Sequence, residues 1–205
     1  MNKNDLRYLK TEKIIISSFL ECVDQLGFEK THISDICQKA MISRNTFYAH
    51  YEDKYALLDF ITTQLENEMM KSYKYTILID IMHNNVHKAV SWCFHEVDKN
   101  RYLIQILLKC SKEKLKTILY HVFIDHPIHT WVEDYEHNLE NIKIKLNETY
   151  IFDAWVGYLE VWLTHYEEIS IDEAIDFMVQ LCEQPINIHL QQLLNSHNYK
   201  YFKKE

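Results

Sequence analysis

Glycine and proline are nearly missing from this 205-residue chain, which has only Gly27, Gly157, Pro127 and Pro185. Sheet corners and tight hairpins lean on those residues, and a phosphate-cradling loop needs clustered glycines. Sandwiches, dinucleotide-binding sheets and nucleotide loops are therefore disfavoured. The five cysteines (Cys22, Cys37, Cys93, Cys110, Cys182) are odd in number, widely spaced and form no Cys-x-x-Cys pair. They read as small core side chains of a reducing compartment. No apolar run approaches the roughly eighteen residues of a membrane span. The start, MNKNDLRYLKTEK, is too polar for a signal peptide, so a cytoplasmic protein without membrane contact is expected.

What is present is helical material. With 47% hydrophobic and 25% charged residues the chain suits a globular protein of one or two domains, built from long helices and short polar links. The net charge of −8 opposes general coating of nucleic acid, but its distribution is uneven. Residues 1–54 balance Lys3, Arg7, Lys10, Lys13, Lys30, Lys39, Arg44 and Lys54 against an equal number of acids. The acidic excess lies in the C-terminal part, so phosphate contact is tolerable only at the N-terminal end.

Apolar spacing predicts a first helix from Leu6 to Leu26, with Ile15, Phe19, Cys22 or Val23, and Leu26 inward and Gly27 closing it. Thr31 is placed to cap Ile33 to Ala40. The turn Met41-Ile42-Ser43 leads to Arg44–His50, capped by Ser43, and Asp53 caps a helix from Lys54 to about Tyr75. Further helices are expected over 78–98, from a cap at Asn100 to about Cys110, and from Lys112 towards Asp125. Pro127 interrupts, Trp131 and Tyr135 fall on a separate piece, and 138–147 reads as the most loop-like stretch. Residues 149–166 are apolar on nearly every side, so that helix must be covered both by its own core and by a partner subunit. Ser170 caps the last long helix, in which Ala174, Phe177, Met178, Leu181 and Cys182 are inward. Pro185 is expected to break it, so that Ile186 to His197 kinks away or restarts.

Two short segments joined by a three-residue turn have the spacing of a helix-turn-helix, whose second helix enters the DNA major groove. The chemistry of that second segment supports this. Arg44, Asn45, Thr46, Tyr48 and His50 carry hydrogen-bonding groups, leaving Phe47, Ala49 and Tyr51 to anchor it inward. A segment this polar is not there mainly to fill a core. Arg44 and Asn45 come first and suit base edges, since Arg pairs with guanine and Asn with adenine through two hydrogen bonds. Thr46 suits a thymine methyl or a phosphate.

Residues 11–58 resemble the DNA-binding domain of the TetR family of transcriptional regulators. The resemblance rests on Thr11, Ile14, Phe19, Gly27-Phe28, Thr31, Ile33, Ile36, Ala40, Ile42-Ser43 and the run SRNTFYAHYEDKYALL. A weaker likeness at 152–181, through Gly157, Trp162 and a helix opened by Ser170, is similar to the family's dimerisation helices. One position departs: the family usually has glycine where this chain has Met41, and a side chain there has to tolerate a left-handed backbone. The resemblance implies an all-α protein, with a three-helix helix-turn-helix domain over 1–54 and a helical effector-binding and dimerisation domain over 55–205. It implies phosphate contacts at Tyr48, His50 and Lys54, with His32 placed to do the same, although Tyr48 and His50 also fit aromatic packing. A small-molecule effector is implied as well, for which Trp92, His95, Tyr102, Tyr120, Phe123, Trp131 and Trp155 are candidate lining residues, each also suited to ordinary core. Trp155, Tyr158, Trp162 and Phe177 are candidates for the dimer interface.

Among the twelve histidines, His83 and His87 share a helix face, and His126 and His129 flank Pro127 near His121. No His-Glu-x-x-His occurs, and neither a metal, a cofactor nor a catalytic constellation is expected. The expected function is that of a homodimeric, ligand-responsive regulator, a repressor, on a roughly palindromic double-stranded operator. Two alternatives are a relative that acts through protein contacts without operator binding, and a helical-bundle carrier or enzyme.

Overall fold

The computed structural model describes residues 6–72, 86–125 and 139–195. Among them the regular elements are helices: α1 (Leu6–Leu26), α2 (Ile33–Lys39), α3 (Arg44–Tyr48), α4 (Lys54–Ser72), α5 (Val86–Lys99), α6 (Arg101–Cys110), α7 (Lys112–Tyr120), α8 (Leu139–Thr164) and α9 (Ile171–Asn195). A single π-helical turn, His121–Asp125, follows α7. Trp131, Tyr135, Pro127, His83, His126 and His129 lie outside the described residues.

Local chemistry accounts for the first four helices. Ile15, Phe19, Cys22 and Val23 form the buried stripe of α1, whereas Leu26 is exposed. Gly27 follows in the left-handed region, φ +82°, and its N–H donates to the Val23 carbonyl at 2.8 Å. Thr31 does not cap α2 as expected. It is buried, its hydroxyl donates back to the Gly27 carbonyl at 2.9 Å, and His32 takes the N-cap position. The His32 N–H donates to the Asp35 carboxylate at 2.9 Å. Ser43 and Asp53 do cap as expected, accepting from the Thr46 N–H at 3.1 Å and the Ala56 N–H at 2.7 Å.

Helix α2 ends in a Schellman closure. The Met41 N–H donates to the Gln38 carbonyl and the Ile42 N–H to that of Cys37, at 3.2 and 3.0 Å. This motif needs a left-handed residue at its centre, and Met41 supplies it at φ +53°. The two bonds hold a conformation that costs an L-residue roughly 1–2 kcal/mol.

The chain divides into two compact units. One comprises the described residues up to Asn67 together with Tyr102–Leu115, and the other those of Glu68–Arg101 and from Lys116 onward. The first has its core in Ile15, Phe19, Ile36, Phe47, Leu57, Ile61 and Leu65, with Ile104, Ile106 and Leu107 of α6 also buried. Ion pairs from Lys109 to Asp24, at 2.7 Å, and from Lys114 to Asp59 join α6 and α7 to α1 and α4 within it.

In the second unit α9 packs on both α5 and α8. Phe94 of α5 meets Trp162 of α8 at 5.1 Å between ring centroids, and the Tyr158 hydroxyl donates to the Ala174 carbonyl at 3.0 Å. Two expectations fail here. Residues 139–147 are not a loop but the first turns of the 26-residue α8. The stretch holds no glycine or proline, and its Leu, Glu and Lys are good helix formers, which apolar periodicity does not register. Nor does α9 stop at Pro185, which lies inside it. Proline removes one backbone donor, and the helix continues past that single loss.

Relief of the Met41 strain should be measurable. Met41→Gly is expected to raise stability by about 0.5–1 kcal/mol, the left-handed penalty less the added freedom of an unfolded glycine. Urea unfolding of the whole chain checks this, through a higher midpoint at an unchanged slope.

Candidate nucleic-acid interface

Helix α3 is only five residues long, too short to be stable by itself. Phe47 fixes it in place. Its ring is fully buried and makes an edge contact with Tyr48 at 5.8 Å and a tilted one with Tyr51 at 6.1 Å. With Phe47 pointing in, Arg44, Asn45 and Tyr48 are left in solvent, Tyr48 at 54% exposure. Ala49, an expected anchor, is exposed. Thr46 is half-buried, and its hydroxyl lies 2.9 Å from the capping hydroxyl of Ser43, so it serves the cap more than any ligand.

Beside this helix lies an open cleft of about 400 Å³, lined among others by His32, Ser34, Arg44, Tyr48, Asp53 and Lys54. It brings His32, Arg44 and Tyr48 together, as a phosphate-and-base surface requires. Asn45, Thr46 and His50 do not line it. Ser34 and Tyr55, also on the cleft, escaped sequence reasoning because nothing in their local pattern distinguishes them.

Two expected phosphate contacts are engaged within the protein. The Lys54 ammonium lines the cleft but donates to the carbonyls of Phe28 (2.8 Å), Thr31 (3.1 Å) and Glu29 (3.2 Å). It also sits 4.6 Å from the Phe28 ring centroid. An ammonium has three protons, and all are committed. Lys54 is therefore a tether from α4 to the corner between α1 and α2, not a free phosphate donor. The imidazole of His50 is stacked on Tyr8 with ring centroids 3.9 Å apart and planes at 22°. Neither ring nitrogen reaches solvent or a hydrogen-bond partner. Burial holds its pKa below the ordinary value of about 6.5, opposed by the nearby Glu12 carboxylate. His50 is a packed ring at the foot of α3.

The profile described as "Bacterial regulatory proteins, tetR family" matches residues 15–61, which contain the whole of α2, α3 and the Ser43 cap. Residues 15–61 are therefore similar to the DNA-binding domain of the TetR family. Solved structures agree over most of the chain's length. A TetR transcriptional regulator from Streptococcus agalactiae 2603V covers 84% of this chain and 93% of its own at 16% identity and TM-score 0.59. A TetR-like transcriptional regulator from Rhodococcus sp. RHA1 covers 88% and 96% at 18% identity and TM-score 0.54. The dihydroxyacetone kinase operon activator DhaS covers 88% and 98% at 19% identity and TM-score 0.52. At these identities the likeness is one of fold. No curated protein matches the chain. The match places a TetR-type helix-turn-helix within residues 15–61, and the solved structures share the fold of most of the chain.

The second unit gathers some of the expected effector residues and disperses others. Ring contacts run from Trp92 to Phe123 (5.3 Å) and on to Trp155 (4.8 Å), with Phe152 joining Trp155 to Tyr120. His95 is exposed, with its Nδ1 2.7 Å from the Ser91 carbonyl. Tyr102 belongs to the first unit, and Trp131 lies outside the described residues. Glu148, buried on α8 at one turn before Phe152, was missed because it falls between the stretch read as a loop, 138–147, and the apolar helix expected over 149–166. Of the expected dimer residues, Trp155 and Trp162 are buried in their own chain and Tyr158 partly so. Phe177 is 53% exposed and faces outward, contrary to its inward placement from spacing.

Arg44→Ala is expected to weaken specific binding by about 1–3 kcal/mol and to relax sequence choice. Lys54→Ala should instead lower folding stability by about 1–3 kcal/mol, with the slope of log K against log salt unchanged. A slope smaller by about one would return Lys54 to the phosphates. Because the folded His50 pKa is depressed, the unfolded chain binds more protons as pH falls below about 6.5, and stability is lost on acidification. Thermal unfolding at pH 7.5 and 5.5 should show this loss. It should shrink in His50→Phe, which keeps the stack on Tyr8 and cannot titrate.

Proposed function

We propose that this chain is a ligand-responsive repressor that binds a palindromic operator as a homodimer in the cytoplasm. One observation carries the reading: a short helix pinned by Phe47 holds Arg44, Asn45 and Tyr48 in solvent, with Arg44 and Tyr48 on a cleft shared with His32. In this reading Arg44 and Asn45 meet base edges, and His32 and Tyr48 meet phosphates. Residues 1–54 are the reading head, and the helices after it dimerise and respond to the effector.

The outer face of α8 supports dimerisation. Ile142, Leu146, Tyr150, Ala154, Gly157 and Val161 recur at three- and four-residue steps, and all are exposed. Phe177 and Leu181 on α9, its packing partner, are exposed as well. An apolar stripe of this length left in water is what a second copy covers. The dimer would set two α3 helices in successive major grooves, about 34–36 Å apart. The contiguous rings of Trp92, Phe123, Trp155, Phe152 and Tyr120 support an effector site in the second unit. Effector binding would then favour a dimer whose head spacing no longer matches the groove.

The similarity to an operon activator makes the opposite sign of control the second reading. Deleting the gene decides between them, since target transcription rises for a repressor and falls for an activator. Sedimentation at micromolar concentration should give twice the chain mass, and the chain should shift duplex DNA from upstream of its own gene in a salt-dependent manner. Val161→Asp with Phe177→Asp is expected to give monomers and to weaken that shift at least tenfold. A monomeric wild type overturns the dimer, and salt-independent or absent binding overturns the operator reading in favour of regulation through protein contacts.

A further inference from the structure

The turn that aims α3 carries two costs at one residue. Met41 is left-handed, at φ +53°, where glycine would sit without strain. Its side chain is also 93% exposed, the highest value among the large hydrophobic residues described. The left-handed backbone serves the Schellman closure of α2, which glycine would form without strain, but the exposed side chain serves nothing in the fold. A buried methionine would be repaid by packing and a glycine would remove the strain, but this residue has neither compensation. A side chain that adds strain where glycine would add none, and that stays in solvent, marks a functional position.

Its surroundings say what the side chain is for. Arg44 is three residues on, so the two Cα atoms lie at most about 11 Å apart. Gln38, Ser43, Arg44 and Asn45 are all exposed. A lone flexible thioether among hydrogen-bonding groups is a poor protein-docking patch, which needs contiguous apolar area. It matches the thymine edge in the major groove, where a methyl group stands beside a hydrogen-bonding carbonyl oxygen. We infer that Met41 is a specificity residue, reading the 5-methyl group of a thymine next to the bases met by Arg44 and Asn45. This rests on the operator reading above. It adds a contact that a glycine at this position cannot make.

The test begins with duplexes enriched from a random pool by the full-length wild-type protein. Each thymine of the enriched site is then replaced singly by uracil, which removes only the methyl group. Wild type should lose about three- to tenfold in affinity at one or more thymines of each half-site. Met41→Gly and Met41→Ala should bind thymine and uracil equally at one such position in each half-site, while keeping the Arg44-dependent preference elsewhere. Met41→Gly should unfold no earlier than wild type, which separates a lost contact from a lost fold. Uracil penalties that persist at every position in both variants overturn the inference. So does a penalty kept by Met41→Ala and lost only in Met41→Gly, since that assigns the effect to backbone stiffness. Failure of the wild type to enrich any duplex overturns the operator reading itself, and this inference with it.

Discussion

Burial of one phenylalanine governs the helix-turn-helix head. A five-residue helix makes too few internal hydrogen bonds to repay its nucleation, so α3 exists only because Phe47 is sunk between its neighbours and Ser43 closes its first turn. The anchor also sets the roll of the helix. Once Phe47 is inside, helical geometry leaves Arg44, Asn45 and Tyr48 outside. Chemistry at the tip is thus a consequence of packing at the root.

Electrostatics fit the same division of labour. The chain carries −8 overall, yet its first 54 residues are balanced, so little opposes approach of a polyanion at that end. Lys54, on the cleft beside α3, is spent on carbonyls.

What the sequence disclosed and withheld follows from distance along the chain. Caps at Ser43, Asp53 and Ser170 and the Gly27 closure act over three or four residues and are plain in the sequence. The Lys54 tether reaches 23 to 26 residues back, and the His50 stack joins residues 42 apart, so neither leaves a local trace. The early turns of α8 were missed for another reason: their burial pattern is weak, and helix formation there rests on propensity. Residues 149–166 showed correctly that two sides are apolar. A helix apolar all round does not reveal which side its own chain takes, and here the tryptophans went inward while Val161 and its stripe stayed out.

The Lys54 tether has a mechanical corollary. It is the first residue of α4, and its three hydrogen bonds grip the corner from which α2 departs. Any torque on α4 is thereby delivered to that corner through a stiff strut of charge and carbonyl dipoles, bypassing the softer hydrocarbon interior. Swivelling the lever without dragging the corner along would require breaking all three bonds at once.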